Sequence, residues 1–390
     1  MAHAHTRSSV VLAEDADLRA TEVTKAPSDY IPGLDGLRAI AILAVLLAHG
    51  FEQYEQTETL SRVGHDIVSA AGSLGTAGVR LFFAISGYLI TSRLARELSG
   101  GQHRGVLRAF YVRRFFRIIP PLVPYLTVIA VGGLLGFLPV RMSEVAAAAL
   151  FASNYFWGKS WFTGHFWSLS VEEHFYLLWA PLMVFGGFVR SKRFAIAVII
   201  LTSVARPLIA DHAYSPTHTL KQTHLQLDSF MVPGLFALLL RDESLVARAR
   251  SLVTVAGVSL VAMCLGIVAV FSDRFMAPLL DPRSMEAILF GVLVVSLTLR
   301  PDFPITRLLE VRPLTWIGRR SYGIYIWQQL FFIPSTASLD RKVMLFIGHL
   351  LLVLVVAQLS YRWLEAPLIR VGRRLAKRTC WRCSWTIARF

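Results

Sequence analysis

The first long apolar segment of the chain carries an arginine and a histidine whose spacing could support chemistry. Arg38 and His49 flank the uninterrupted apolar run Ala39–Ala48. At 100° per residue, eleven residues return a helix to within about 20° of its starting direction, so both side chains share one face, about 16 Å apart. Histidine suits the removal of a proton from an alcohol, because its ordinary pKa lies close to neutral pH. We predict that both side chains point into one cavity and that both are catalytic, although a lone histidine in a membrane helix also fits a packing role.

A second segment places hydroxyl groups beside a carboxylate where an apolar span begins. Ser168, Glu172 and Tyr176 follow one another at spacings of four, which puts them on one helix face. Solvation at the end of a span could explain one glutamate, but it explains the whole face less well. Glu172 is predicted to be catalytic, by orienting a histidine or pairing with an arginine. Ser168, Ser170 and Tyr176 are predicted to contact substrate.

Three arginines, Arg113, Arg114 and Arg117, lie together where another span begins. Ordinary anchoring at the cytoplasmic face of a membrane is one explanation. The alternative is a phosphate clamp, because guanidinium groups on one helix face match the pyrophosphate and 3′-phosphate of coenzyme A. We predict that these three residues bind such a cofactor.

Further polar groups occur in or beside apolar segments, where each needs a partner, water or a function. Ser86 is followed by Gly87, a pair that also permits close helix packing. Substrate contacts are predicted for Asp35, Ser86, Asp228 and Tyr322.

The composition requires that most of the chain lies in lipid. Of the 390 residues, 55% are hydrophobic and 17% are charged, and the mean hydropathy is +0.54, values that a water-soluble domain could not reach without exposing apolar surface. The 40 Lys and Arg outnumber the 25 Asp and Glu. In a membrane protein such an excess marks cytoplasmic loops, so no nucleic-acid partner is predicted.

The apolar segments predict an all-α, polytopic helix bundle of about ten transmembrane helices. With ten crossings, 29 of the 40 basic residues fall on the side of the termini and 8 on the other, so both termini are predicted to be cytoplasmic and the protein to lie in the inner (plasma) membrane. A short segment at 144–157 is predicted to be a partial or re-entrant helix. The ten predicted spans are 36–52, 77–93, 117–138, 165–189, 194–210, 224–240, 251–271, 285–299, 319–336 and 343–365.

The charge and apolar pattern divides the chain into three regions. Residues 1–30 are predicted to be a disordered cytoplasmic leader, 31–370 the membrane domain and 371–390 a basic cytoplasmic tail. Cys380 and Cys383 in the tail have no second ligand pair, so no metal site is predicted.

Five segments, taken in chain order, resemble the acyltransferase 3 family of integral membrane O-acyltransferases over about residues 30–370. They are Leu34–Arg38 with His49, Phe82–Thr91, Arg113–Pro120, Trp167–Tyr176 and Ser321–Tyr325. The resemblance implies transfer of an acyl group, commonly acetyl from cytoplasmic acetyl-CoA, to hydroxyls of carbohydrate-containing acceptors such as surface polysaccharide or peptidoglycan. It matches Arg38 and His49 to the arginine and histidine of the family's first span, and Glu172 to its glutamate after Trp-Ser-Leu.

Three positions depart from the family's pattern. Arg80 stands where an acidic residue is usual, Gln226 where an arginine is often found, and Gln328 where a histidine is common. These differences concern the choice of acceptor more than the type of reaction.

The sequence therefore predicts a membrane O-acyltransferase in which His49 is a general base or carries the acyl group transiently. Two other functions stay open. A transporter or flippase could also place charges at the centre of a helix bundle, although the chain lacks the related halves that transporters often show. A non-catalytic assembly partner in glycan export is the third possibility. The acceptor, the acyl chain length and the oligomeric state are not predicted.

Overall fold

The computed structural model describes residues 30–55, 62–100, 105–212, 214–271, 281–333 and 339–384 of the chain. The predicted leader lies outside these residues except for Tyr30. The side chains of Cys380 and Cys383 also lie outside the description.

Helices form all of the regular secondary structure in the described residues, as the sequence predicted. Residues from Pro32 onward belong to one unit. The α-helices are α1 (Leu34–Glu55), α2 (Arg62–Ser99), α3 (Val106–Leu134), α4 (Met142–Ala149), α5 (Trp161–Gly164), α6 (Phe166–Asp211), α7 (Pro216–Thr219), α8 (Asp228–Leu239), α9 (Glu243–Leu252), α10 (Val255–Phe271), α11 (Pro282–Leu299), α12 (Pro304–Leu309), α13 (Arg312–Trp327), α14 (Leu339–Ser360) and α15 (Ala366–Ser384). A 3-10 turn, Gln328–Leu330, directly follows α13, and a π-helical turn, Tyr361–Glu365, links α14 to α15.

Several helices are long and apolar enough to cross a bilayer. By length and composition, five qualify among the described residues, and a sixth qualifies if α9 and the following helix, which meet at 81°, are taken as one broken span. Large side chains such as Phe185, Leu201 and Leu351 are more than half exposed, as expected of surfaces that face lipid. The chain is thus an all-α multi-pass membrane protein, while the count of ten spans stays a prediction. The five segments that are long and apolar enough to cross a bilayer are Leu34–Glu52, Gly64–Ser99, Val106–Leu134, Pro282–Leu299 and Leu345–Arg378.

Helix α6 contains a break at Gly187, whose φ of 70° and ψ of 176° are not helical. A side chain would strain this backbone, whereas glycine adopts it readily. The break divides the 46 residues of α6 into two helices, close to the boundary between the predicted spans at 165–189 and 194–210.

The segment predicted to be partial, 144–157, overlaps α4, whose eight residues are far fewer than the roughly 20 that cross a bilayer. The buried Glu144 carboxylate anchors the irregular chain that follows. It accepts hydrogen bonds from the Ser160 backbone N–H at 2.7 Å and the Thr163 hydroxyl at 2.8 Å, and it pairs with Arg141 at 2.8 Å. These bonds hold α5 and the start of α6 in place.

Small residues bring α1 and α2 close together. A Cβ atom at Gly75 or Gly78 of α2 would overlap Ala48 or the Ala41 carbonyl of α1. Such pairs of small residues allow membrane helices to approach closely and pack by van der Waals contact. The tight contact fixes the face of α1 that carries Arg38 and His49 against α2.

Candidate active site

Helix α1 presents Arg38 and His49 to two cavities that adjoin inside the bundle. We name them the arginine cavity, which Arg38 lines, and the histidine cavity, which His49 lines. Val79 of α2 and Tyr325 of α13 line both cavities and so form the wall between them. The sequence predicted a single cavity. The structure instead assigns the two residues to neighbouring cavities, about 16 Å apart along the helix.

The arginine cavity gathers most of the predicted site residues. Arg38, Arg114 and Arg117 bring three guanidinium groups to its lining. Predicted residues from five helices line it: Arg38, Ser86, Arg114, Arg117, Ser168, Glu172, Tyr176 and Tyr322. Side chains that lie far apart in the sequence thus meet around one space.

Asp35 lies outside the lining but holds two guanidinium groups. Its Oδ1 pairs with Arg38 at 3.0 Å, one turn along α1, and its Oδ2 accepts from Arg319 of α13 at 3.2 Å. A carboxylate shared by two arginines orients both of them. Asp35 therefore positions Arg38 at the cavity, and no direct contact with substrate follows from this placement.

Arg113 does not join the arginine cavity. Its guanidinium donates to both carboxylate oxygens of Glu97, each at 2.9 Å, which turns it toward the end of α2. Arg114, one residue later on α3, lies over the Tyr176 ring with Cζ 4.8 Å from the ring centre and lines the cavity. The predicted clamp of three arginines on α3 is therefore reduced to Arg114 and Arg117, with Arg38 of α1 beside them.

Glu172 sits in a network of hydroxyl groups. It accepts a hydrogen bond from Ser86 of α2 at 2.6 Å and another from Tyr176, one turn along its own helix. The predicted face of Ser168, Glu172 and Tyr176 thus lies on the cavity. Within the part of the chain that the structure describes, Glu172 forms a hydrogen bond or ion pair with neither His49 nor an arginine, which were the partners predicted for it.

Gln328 is the side chain that meets His49. The Nδ1–H of His49 donates to Oε1 of Gln328 at 2.7 Å, and the Trp161 ring lies edge-on, 5.4 Å away between ring centres. When Nδ1 carries the proton in a neutral imidazole, the lone pair is on Nε2. The 3-10 turn after α13 therefore leaves Nε2 as the basic nitrogen of His49.

A second histidine with the same arrangement was not predicted from the sequence. His165 lines the histidine cavity, and its Nδ1 donates to Oε1 of Gln329, the next residue of the same turn. Its buried Nε2 has no hydrogen-bond partner among the described residues. Two features of the sequence could have indicated this second histidine: His165 directly precedes the Phe-Trp-Ser-Leu segment, and Gln328 is followed by a second glutamine, Gln329.

Hydroxyl groups complete the wall between the cavities. The Ser168 and Tyr325 hydroxyls lie 2.5 Å apart, and Tyr325 also donates to the His165 carbonyl at 2.8 Å. Tyr322, one turn earlier on α13, donates to the Ile118 carbonyl of α3 at 2.8 Å. These bonds tie α13 to α3 and α6 on either side of the wall.

Sequence comparisons assign the chain to a family. The chain matches the sequence profile described as an acyltransferase domain over residues 31–362. It belongs to this acyltransferase 3 family. The chain is 26% identical over 377 residues to peptidoglycan O-acetyltransferase OatA of Listeria monocytogenes, which covers 90% of this chain and 57% of that relative. It is 29% identical over 373 residues to O-acetyltransferase OatA of Staphylococcus aureus, covering 88% of this chain and 58% of that one. The chain thus spans little more than half the length of these relatives. No solved structure matches it.

Two predicted residues of this acyltransferase domain lie away from both cavities. Asp228 is fully buried and pairs with Arg206 of α6 at 2.5 Å, while Ser284 donates to its other oxygen at 3.0 Å. Ser170, also buried, accepts from the Ser153 backbone N–H at 3.2 Å and donates to the Phe166 carbonyl. Breaking a buried ion pair costs about 3–5 kcal/mol, because it leaves a charge without its partner. Both side chains are thus bonded to other parts of the protein, and neither lines the arginine cavity or the histidine cavity.

The positions that depart from the family's pattern have partners of their own. Arg206, which also pairs with Asp281, supplies the positive charge beside Asp228, while Gln226 donates to the Leu220 carbonyl at 2.6 Å. Arg80 pairs with the buried Glu286 of α11. Arg80 therefore does not supply the positive charge beside Asp228, which comes from Arg206.

Proposed function

We propose that the protein transfers an acyl group, acetyl in the simplest case, from acyl-CoA to a hydroxyl of a carbohydrate-containing acceptor. The observation that carries the proposal is the oriented imidazole of His49 in a cavity that adjoins an arginine-lined cavity. Membership of the acyltransferase family and the O-acetyltransferase names of the relatives support the reaction class. The name of the Listeria relative makes peptidoglycan the first acceptor to try.

In this proposal the arginine cavity holds the phosphates of the donor. Arg38, Arg114 and Arg117 offer planar guanidinium groups, which bind phosphate oxygens through charge-assisted hydrogen bonds. With the basic loops on the cytoplasmic side, acyl-CoA enters there. The pantetheine arm then extends past Val79 and Tyr325, so that the thioester reaches the histidine cavity.

The reaction needs a base on the acceptor side. Nε2 of His49 removes the proton of the acceptor hydroxyl, and the oxygen attacks the thioester carbonyl carbon. The C–S bond then breaks, and the departing CoA sulfur takes the proton from the imidazolium of His49. In the alternative sequence, Nε2 attacks the thioester carbonyl carbon and the C–S bond breaks to release the CoA thiolate. The acceptor oxygen then attacks the acyl group on Nε2, the N–C bond breaks, and the proton of the acceptor hydroxyl ends on the CoA sulfur. Both sequences give CoA thiol and an O-acyl ester.

Purified protein in detergent, given labelled acetyl-CoA and soluble peptidoglycan fragments, tests the proposal. We expect the label to appear in an ester on the fragment and free CoA to form in equal amount. No second compartment is present, so a transporter or an assembly partner would leave acetyl-CoA intact. That outcome would overturn the proposal.

Gln328 is expected to act on turnover more than on donor binding. Gln328→Leu removes the oxygen that orients His49, and we expect kcat to fall on the order of tenfold to 100-fold, the range known for hydrogen-bond partners that orient a metal-bound imidazole. The KM for acetyl-CoA should not change, because Gln328 does not line the arginine cavity. Steady-state kinetics of the purified variant measures both quantities.

Two further variants separate positioning from packing. Gln328→His restores a side chain that can accept from Nδ1–H of His49, and it should recover most of the lost kcat. Gln358→Leu removes a half-buried amide that accepts from Arg320 away from both cavities and should leave kcat unchanged. A fall in kcat that Gln328→His does not reverse would contradict the positioning role.

A further inference from the structure

Two lysines line the histidine cavity together with His49. Lys159 lies in the chain just before α5, and Lys221 lies between α7 and α8. The Lys159 ammonium donates to the Ser153 carbonyl at 2.6 Å, and the Lys221 ammonium lies 5.7 Å from the centre of the Trp167 ring. Among the described residues, neither ammonium has a carboxylate oxygen within ion-pair distance.

The carboxylates nearby leave this positive charge largely uncompensated. Glu144 is occupied by Arg141, Ser160 and Thr163. Glu52, which also lines the cavity, attracts Lys221. The two ammonium groups also repel each other. Burial, with the nearby Lys221, lowers the pKa of Lys159 to about 8 despite the attraction of Glu144, so most of Lys159 stays protonated at pH 7.

Aromatic surfaces lie beside the two charges. Trp161 and Trp167 line the same cavity, and the Trp161 indole N–H is fixed by the Gln329 carbonyl at 2.9 Å. A fixed indole ring offers an apolar face against which the C–H face of a sugar ring can pack. Such a face binds a sugar but does not distinguish a neutral sugar from a charged one. Selectivity for a charged sugar must therefore come from Lys159 and Lys221.

We propose that the histidine cavity selects an anionic acceptor, a carbohydrate that carries a carboxylate or a phosphate bound by Lys159 and Lys221. The anion on the lysines and the sugar ring against tryptophan would direct the acceptor hydroxyl to Nε2 of His49. This inference rests on the proposed function, because it names the class of acceptor for the same reaction. Hydrogen bonds to a charged group are stronger than those to a neutral one, so we expect a preference on the order of tenfold or more over a neutral acceptor.

The test uses three oligosaccharides that differ in one substituent: a carboxylate, the corresponding carboxamide, or a phosphate monoester. Binding to the wild-type protein without acetyl-CoA is followed by tryptophan fluorescence, and transfer is followed with labelled acetyl-CoA. We expect the charged compounds to have a Kd and a KM at least about tenfold lower than the carboxamide. The carboxylate and phosphate arms show which anion fits better.

Variants connect the preference to the two lysines. Lys159→Met and Lys221→Met keep most of the side-chain volume but remove the charge, and each should raise the KM of the charged acceptor toward that of the carboxamide. The KM for acetyl-CoA should not change. Lys377→Met, on the exposed face of α15, is the matched control and should behave as wild type.

The possible results separate this inference from the proposed function. Equal Kd and KM for the three compounds would overturn the anionic preference while leaving acyl transfer intact. A preference in binding with no transfer to any compound would overturn the proposed function and retain the anion site. If a lysine variant fails to fold, the comparison of the three compounds on the wild-type protein still tests the preference for an anionic acceptor.

Discussion

Replacement of His49 by alanine should abolish acyl transfer and leave the protein folded. General-base catalysis contributes about 10²- to 10⁴-fold, and the variant lacks both the base and the atom that could carry an acyl group. The fold should survive, because His49 lines a cavity and the space left by the imidazole can fill with water. Transfer from labelled acetyl-CoA by the purified variant, compared with its thermal unfolding, measures both effects.

His65→Ala provides the matched control for this prediction. His65 is exposed near the start of α2 and lines neither cavity, so the variant should transfer acyl groups at the wild-type rate. Intact-protein mass spectrometry after mixing with acetyl-CoA alone distinguishes the two reaction sequences, since an added acetyl group that depends on His49 indicates an acyl-enzyme. Wild-type turnover by folded His49→Ala protein would exclude both sequences.

The residues that share one helix face could be predicted from the sequence. The spacings of Arg38 to His49 and of Ser168 to Tyr176 depend only on helical periodicity, which the chain keeps through these segments. Ser168, Glu172 and Tyr176 of α6 all line the arginine cavity, as their spacing predicts, whereas Arg38 and His49 of α1 line two adjoining cavities. The all-α class followed from composition for a similar reason, because a backbone in lipid must satisfy its own hydrogen bonds.

Partners from distant segments could not be predicted in this way. Arg113 and Arg114 are adjacent, and only the position of Glu97 on another helix decides which of them faces the cavity. Asp228 is a carboxylate in an apolar segment, which is why it was predicted to be a site residue. In the structure it belongs to a buried ion-pair network with Arg206 and Asp281. Periodicity within one helix holds no information about contacts of this kind.

The histidine cavity illustrates the same limit more strongly. His49 and Gln328 are 279 residues apart, and neither segment alone indicates that they meet. The number of spans is hard to predict for a related reason, since α8 has only 12 residues and α13 only 16. Helices this short do not reach the roughly 20 residues that cross a bilayer, so their length alone does not identify them as membrane spans.

The second large effect is expected for the arginines that face the arginine cavity. Arg114→Gln and Arg117→Gln each remove a charged donor from the proposed phosphate site, and we expect each to raise the KM for acetyl-CoA on the order of tenfold to 100-fold, as the loss of about 1.5–3 kcal/mol requires. The kcat should change less, because Arg114 and Arg117 line the arginine cavity and not the histidine cavity. The KM is measured at a saturating concentration of acceptor.

Arg113→Gln is the matched control, since it changes the same residue type on the same helix but removes a guanidinium that is paired with Glu97. It should leave the KM for acetyl-CoA within about twofold of wild type, because the loss of a partly exposed ion pair costs no more than about 1 kcal/mol. Acetyl-dephospho-CoA, which lacks the 3′-phosphate, identifies the phosphate that each arginine binds: an arginine that binds the 3′-phosphate loses its effect on KM with this donor. An equal rise in KM for all three variants would mean that overall charge at this face of the membrane, rather than a phosphate site in the arginine cavity, attracts the donor.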